Sequence, residues 1–225
     1  MLFKRDFFLQ KHLNVNCYIT NLKNSFKSLN KIKKPFFFSY INKTKLSQKE
    51  QSRYNCKYIS KLLIFKKKFK KKEILINNCR LAKNLDKKLI DKLILKSDTN
   101  SRFYLDENIN KKKIKRFRAD WVAEYFRNKK GKKLILCEIK NKIGGILLLS
   151  HKGNIARIDI LVVDPKFIRK SIASSLVSFV NNKYNARINF LIAGTQQSNN
   201  SAIKFYKKNN FKLTDFKYYH HIYSK

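Results

Sequence analysis

From Glu73 to the C-terminus the hydrophobic residues change period repeatedly, and the order of those changes is the tightest constraint on the fold. Glu73 to Leu81 reads as a strand. Leu85, Leu89, Ile90, Leu93 and Ile94 then recur at helical spacing, so Asn84 to Lys96 forms a helix with Asn84 as its N-cap. Ile114, Phe117, Trp121 and Tyr125 mark a second helix from Lys111 to Arg127, closed by Asn128-Lys129-Lys130-Gly131. A meander follows: strands over Leu134–Ile139, Ile143–Leu149 and Ile155–Val163, with turns at Lys140-Asn141-Lys142 and His151–Asn154. Asp164-Pro165 stops the third strand. Ser171–Tyr184 is a helix, Ile188–Ala193 a strand, Asn199–Lys208 a helix and Phe211–Tyr223 a last strand. The order is β-α-α-β-β-β-α-β-α-β.

Residues 1–72 read less clearly and are set apart from 73–225 as a basic N-terminal segment, a partial copy of the main domain or an extension of it. Phe36–Ile41 and Tyr58–Phe65 have strand composition, and Lys66–Lys72 is a lysine run around Phe69, more like a solvated loop or strand edge than an anion site. The chain carries 53 Lys and Arg against 14 Asp and Glu, a net charge of +39. Such a balance suggests nucleic acid. However, most of the cations are Lys, and the surplus is spread along the whole chain. It therefore reads as compositional drift, with nucleic acid bound only non-specifically. Cys17, Cys56, Cys79 and Cys137 have neither CxxC spacing nor a His partner, which implies four free thiols, no metal and a reducing, cytoplasmic setting. The longest apolar run, Ile143–Leu149, is far too short to span a membrane.

Two stretches carry chemistry. In Leu161-Val162-Val163-Asp164-Pro165-Lys166-Phe167-Ile168-Arg169-Lys170-Ser171-Ile172-Ala173 a strand runs through a tight loop into a helix. That geometry gathers backbone N–H groups at a helix N-terminus, which suits an anion. In Gly194-Thr195-Gln196-Gln197-Ser198-Asn199 through Ala202, Tyr206 and Phe211, Asn199 and Tyr206 lie two helical turns apart on one face. These motifs, in this element order, resemble the GNAT superfamily of N-acyltransferases. The resemblance implies an α/β (α+β) domain whose central sheet, mixed and mostly antiparallel, is flanked by helices, and it implies acetyl-CoA as co-substrate. It places CoA on Val162, Val163, Ile168, Arg169, Lys170, Ser171, Ile172, Ala173 and Asn199, and makes Tyr206 the acid that protonates the departing thiolate. Ile168 stands where Arg or Gln is usual, Ser171 where Gly is usual, and Asn210 where Gly precedes Phe211. If Ser171 takes positive φ, it costs on the order of 1–2 kcal/mol. Asp159 is a candidate base for the amine; pairing with Arg157 or a Lys, or a water relay, are the alternatives.

A narrower likeness rests on Ser101-Arg102-Phe103-Tyr104-Leu105-Asp106, Trp121, Gly194-Thr195-Gln196 and Tyr219-His220. Together they resemble the TDP-fucosamine acetyltransferase group, which implies a nucleotide-activated amino sugar as acceptor, held by Arg102, Tyr104, Gln196 and His220. The bland alternatives are a surface Arg102 paired with Asp106 and a His220 on an exposed strand face. Rival functions are transfer to a protein N-terminus or small amine, and RNA binding on the same scaffold. Oligomeric state stays open, with a homodimer as one option.

Overall fold

The computed structural model describes residues 3–69, 73–74, 76–96, 100–127 and 131–224. Lys70–Lys72 of the lysine run and Asn128-Lys129-Lys130 of the expected turn lie outside them. The N-terminal third holds β1 (Lys4–Arg5), α1 (Phe7–Leu13), β2 (Asn16–Thr20), a 3₁₀ segment (Lys23–Lys31), β3 (Phe36–Asn42), α2 (Gln48–Arg53) and β4 (Cys56–Lys68). Then come β5 (Asn78–Leu81), α3 (Lys87–Lys96) after a 3₁₀ turn over Asn84–Asp86, α4 (Arg102–Leu105) and α5 (Lys111–Phe126). The meander is β6 (Lys132–Ile139), β7 (Lys142–Lys152) and β8 (Ile155–Val163), followed by α6 (Ile172–Tyr184), β9 (Phe190–Gln196), α7 (Asn200–Lys208) and β10 (Lys212–Tyr223).

All ten strands join one sheet in the order β1-β2-β3-β10-β4-β9-β8-β7-β6-β5. Among the described residues only β2–β3 and β8–β9 pair in parallel, so the sheet is mixed and mostly antiparallel. Helices lie on both faces. α6 and α7 cover one face through Ile172, Leu176, Val180 and Tyr206. α3 and α5 cover the other through Ile90, Ile94, Val122 and Tyr125. Burial of these apolar stripes at roughly 25 cal/mol per Å² is the main force that holds the layers together.

The expected division after residue 72 is not a break in the sheet. β4 lies between β9 and β10, pairing Leu62 with Gln196 on one side and Phe216 with Leu63 on the other. The lysine run changes meaning accordingly. β4 is a central strand, and Lys67 is only 5% exposed, with its ammonium 2.8 Å from the Glu73 carboxylate. Two other expectations shift at their edges. The strand begun at Glu73 starts at Asn78, and Lys83, not Asn84, precedes the turn into α3. Of the four cysteines expected to be free, Cys79 and Cys137 face each other on β5 and β6 and are joined as a disulfide; Cys17 and Cys56 are free and buried. Neighbouring antiparallel strands place directly opposed side chains within bonding reach. Among the described residues no helix is long and apolar enough to cross a membrane.

Candidate active site

Two strands part in the middle of the sheet. β8 and β9 pair from Ile155 opposite Phe190 to Ile158 opposite Ala193. Beyond that point β8 continues to Val163 against β7, and β9 continues to Gln196 against β4. A local cause is visible in β8. Ile158 faces Leu149 and Ile160 faces Leu148, so Asp159 is an extra residue in the ladder. A bulge of this kind bends its strand and sharpens the twist. The facing edges of the parted strands are left with backbone groups that no strand satisfies, a demand a ligand or water must meet.

A cavity of about 690 Å³ occupies this gap and unites six of the residues singled out in the sequence. Val162, Asn199, Tyr206, Asp159, Gln196 and Arg102 all line it. Asn199 caps α7, its carboxamide oxygen accepting from the Ala202 amide at 3.2 Å and the Ser201 hydroxyl at 2.9 Å. Tyr206 follows two turns later, packed between the rings of Phe65 and Phe211. Burial pushes its phenol well above the ordinary value, so it stays protonated at neutral pH. Among the described residues Asp159 pairs with neither Arg157 nor a lysine; its carboxylate accepts from the Tyr125 hydroxyl at 2.5 Å. The Gln196 side-chain oxygen is buried without a partner.

The loop over Ile168–Ala173 lies outside the cavity lining, at the end of β8. Ser171 has φ 57° and Arg169 φ 63°, both in the left-handed region. Asn210 does the same at φ 62°. The side chain of Ser171 caps nothing, so the first amides of α6 are left without an internal acceptor. Val163 turns away from the cavity into the core beneath α6.

At the opposite end Arg102 is neither exposed nor paired with Asp106. Its guanidinium lies over the rings of Phe103 and Tyr219, 4.3 and 4.6 Å from their centroids. Asp106 is fully buried and instead binds His221 Nδ1 at 2.5 Å and the Tyr223 hydroxyl. Its contacts with these donors keep its carboxyl low despite burial. Two expected acceptor residues are misplaced. Tyr104 lies off the cavity, with Lys111 over its ring. His220 is fully buried on the other face of β10, where its Nε2 accepts from the Leu46 amide at 3.3 Å. Strand alternation explains the miss, since Lys217 and Tyr219 face the cavity and the next residue of that parity is His221. Trp121, part of the narrower likeness, lines the cavity, as does Arg118, which no sequence motif singles out; Tyr125, in sequence only a helix-face residue, holds Asp159.

Comparisons with known proteins agree with this geometry. A family model described as "Acetyltransferase (GNAT) domain" matches residues 101–221, more than half of the chain. A functionally unknown conserved protein from Staphylococcus epidermidis superposes with a TM-score of 0.68 at 12% identity, over 96% of this chain and 89% of that one. A GCN5-related N-acetyltransferase from Kribbella flavida gives 0.61 at 6% identity, over 93% and 82%. One from Sphaerobacter thermophilus gives 0.58 at 9%, over 88% and 63%. At such identities the structural likeness speaks for the fold alone. A comparison with curated proteins found no match.

Proposed function

This chain belongs to the GNAT acetyltransferase family, and we propose that it transfers an acetyl group from acetyl-CoA to the primary amine of a nucleotide-linked amino sugar. The observation that carries the reading is that one cavity holds both Tyr206 and Arg102. The residues present fit a CoA donor. The uncapped start of α6, held open by left-handed Ser171, offers amides and a helix dipole to a pyrophosphate. Ile168–Ala173 bind it there through the backbone, and Asn199 and the free edge of β8 at Val162 flank the pantetheine side.

Acetyl-CoA, when bound, supplies a thioester as acyl donor. The chain's own groups manage the protons. Asp159 uses the carboxylate oxygen not taken by Tyr125 to accept a proton from the attacking amine. Tyr206 gives its phenolic proton to the sulfur as the thiolate leaves; burial keeps that proton on the phenol beforehand. Arg102 orients the acceptor by its phosphate, and Gln196 offers an unused acceptor oxygen to a sugar hydroxyl or amine. His220 and Tyr104 have no part in this reading.

The experiment is a panel: acetyl-CoA with a 4-amino-4,6-dideoxyhexose nucleotide, an Ala- or Ser-starting peptide and a polyamine, read by mass spectrometry. Preferential acetylation of the sugar nucleotide is expected. A preference for the peptide or the polyamine would discard the sugar acceptor and keep the acetyltransferase.

A further inference from the structure

The acceptor end of the cavity carries more positive charge than one phosphate-orienting residue requires. Arg102, Arg118, Arg157 and Lys217 line the cavity, against the carboxylates of Asp6 and Asp159. Both carboxylates are engaged within the protein. Asp6 caps α1, accepting from the Leu9 amide at 2.9 Å, and Asp159 accepts from Tyr125. Among the described residues no ion pair joins Arg102 to either. Its Nη1 is buried without a hydrogen-bond partner, a cost that an anion seated beside it would offset.

Arg118 reaches the same space from the next helix. It stands one turn after Ile114 and one turn before Trp121, on the stripe of α5 that faces the cavity. Phe103 and Phe117, the sequence neighbours of the two arginines, touch edge to face at 5.4 Å. That contact brings the arginine-bearing turns of α4 and α5 together. Burial lowers the Arg118 guanidinium to about 10, which leaves it charged at neutral pH.

We infer that Arg118 is a second acceptor-binding residue, and that with Arg102 it forms a two-guanidinium seat for a diphosphate or similar multiply charged anion on the acceptor. This deepens, and rests on, the reading that the acceptor amine enters opposite Tyr206. Each guanidinium presents a planar fork of donors matched to phosphate oxygens, so two forks hold and orient a diphosphate where lysines would only attract it. The same four cations repel a polyamine.

The test is calorimetry with inorganic pyrophosphate on CoA-saturated protein, so that the α6 end is already filled. Wild type, Arg118→Gln, Arg118→Lys and the exposed control Lys88→Gln are compared at physiological salt, which screens the surface charge. Arg118→Gln should weaken pyrophosphate binding about 10- to 100-fold. Arg118→Lys should fall between, and Lys88→Gln should match wild type. Unchanged CoA affinity verifies that each variant is folded. Pyrophosphate binding that Arg118→Gln leaves intact, or none to wild type at millimolar concentration, overturns the seat. If Arg118→Gln loses pyrophosphate but no sugar nucleotide is acetylated, the sugar reading falls and the seat stands.

Discussion

The two ends of the cavity are built by different means. The donor end is backbone: the parted edges of β8 and β9 and the bare amides of α6. The acceptor end is side chains brought from α4, α5, β10 and the N-terminal turn at Asp6. A site made of amides depends on the path of the chain rather than on residue identity. It therefore survives Ile168 and Ser171 in place of the usual residues, provided Ser171 can hold its positive φ. A site made of side chains has no such tolerance, and on the proposed function selectivity for the acceptor resides there.

The largest expected effect lies where the two ends meet. Tyr206→Phe should lower kcat by about 10²–10⁴-fold, because it deletes the proposed proton donor to sulfur. Its packing against Phe65 and Phe211 is kept, so CoA affinity should stay nearly constant by calorimetry. A Phe variant with wild-type turnover would hand protonation to water and remove Tyr206 from the comparison.

A second test separates scaffold from acceptor end. Burial, with Lys45 and His221 nearby, lowers the His220 imidazole from 6.5 to about 4. The unfolded chain therefore binds the proton more readily. Stability should be full above about pH 6.5 and should drain away as the pH falls toward 4. His220→Gln keeps an acceptor for Leu46 and does not titrate, so urea melts of that variant should decline less over this window. Its acceptor KM should match wild type; a raised KM would return His220 to the acceptor site.

The smallest effect belongs to the donor loop. Ser171→Gly relieves left-handed strain of about 1 kcal/mol. It should raise the melting temperature by a few degrees and leave CoA affinity equal or tighter. Weaker CoA binding would mean that the serine side chain, and not the backbone alone, contacts the donor.

The same contrast governs what the sequence reveals. The meander, α6 and α7 are local patterns, and Tyr206 and Asn199 sit at fixed offsets along one helix, so the donor end is legible. The place of β4 between β9 and β10 is not, because both of its partners lie more than a hundred residues away. Short elements such as α2 and α4 lack the turns needed to show a period. Arg118 is hidden in Lys111–Arg118, where basic residues look like a solvated face, although its spacing from Ile114 and Trp121 was a usable signal. His220 has the wrong strand parity for the cavity, and His221, which has the right one, is a buried partner of Asp106 rather than a ligand-facing group.

The division of labour between the two ends is tested most directly by KM values for both substrates in two variants. Arg102→Ala should raise the KM of the acceptor about 10- to 100-fold and leave that of acetyl-CoA unchanged, and Ser171→Gly should leave the acceptor KM unchanged and that of acetyl-CoA equal or lower. Equal changes in both KM values for Arg102→Ala would contradict the account, because Arg102 would then be shaping the whole cavity rather than holding the acceptor.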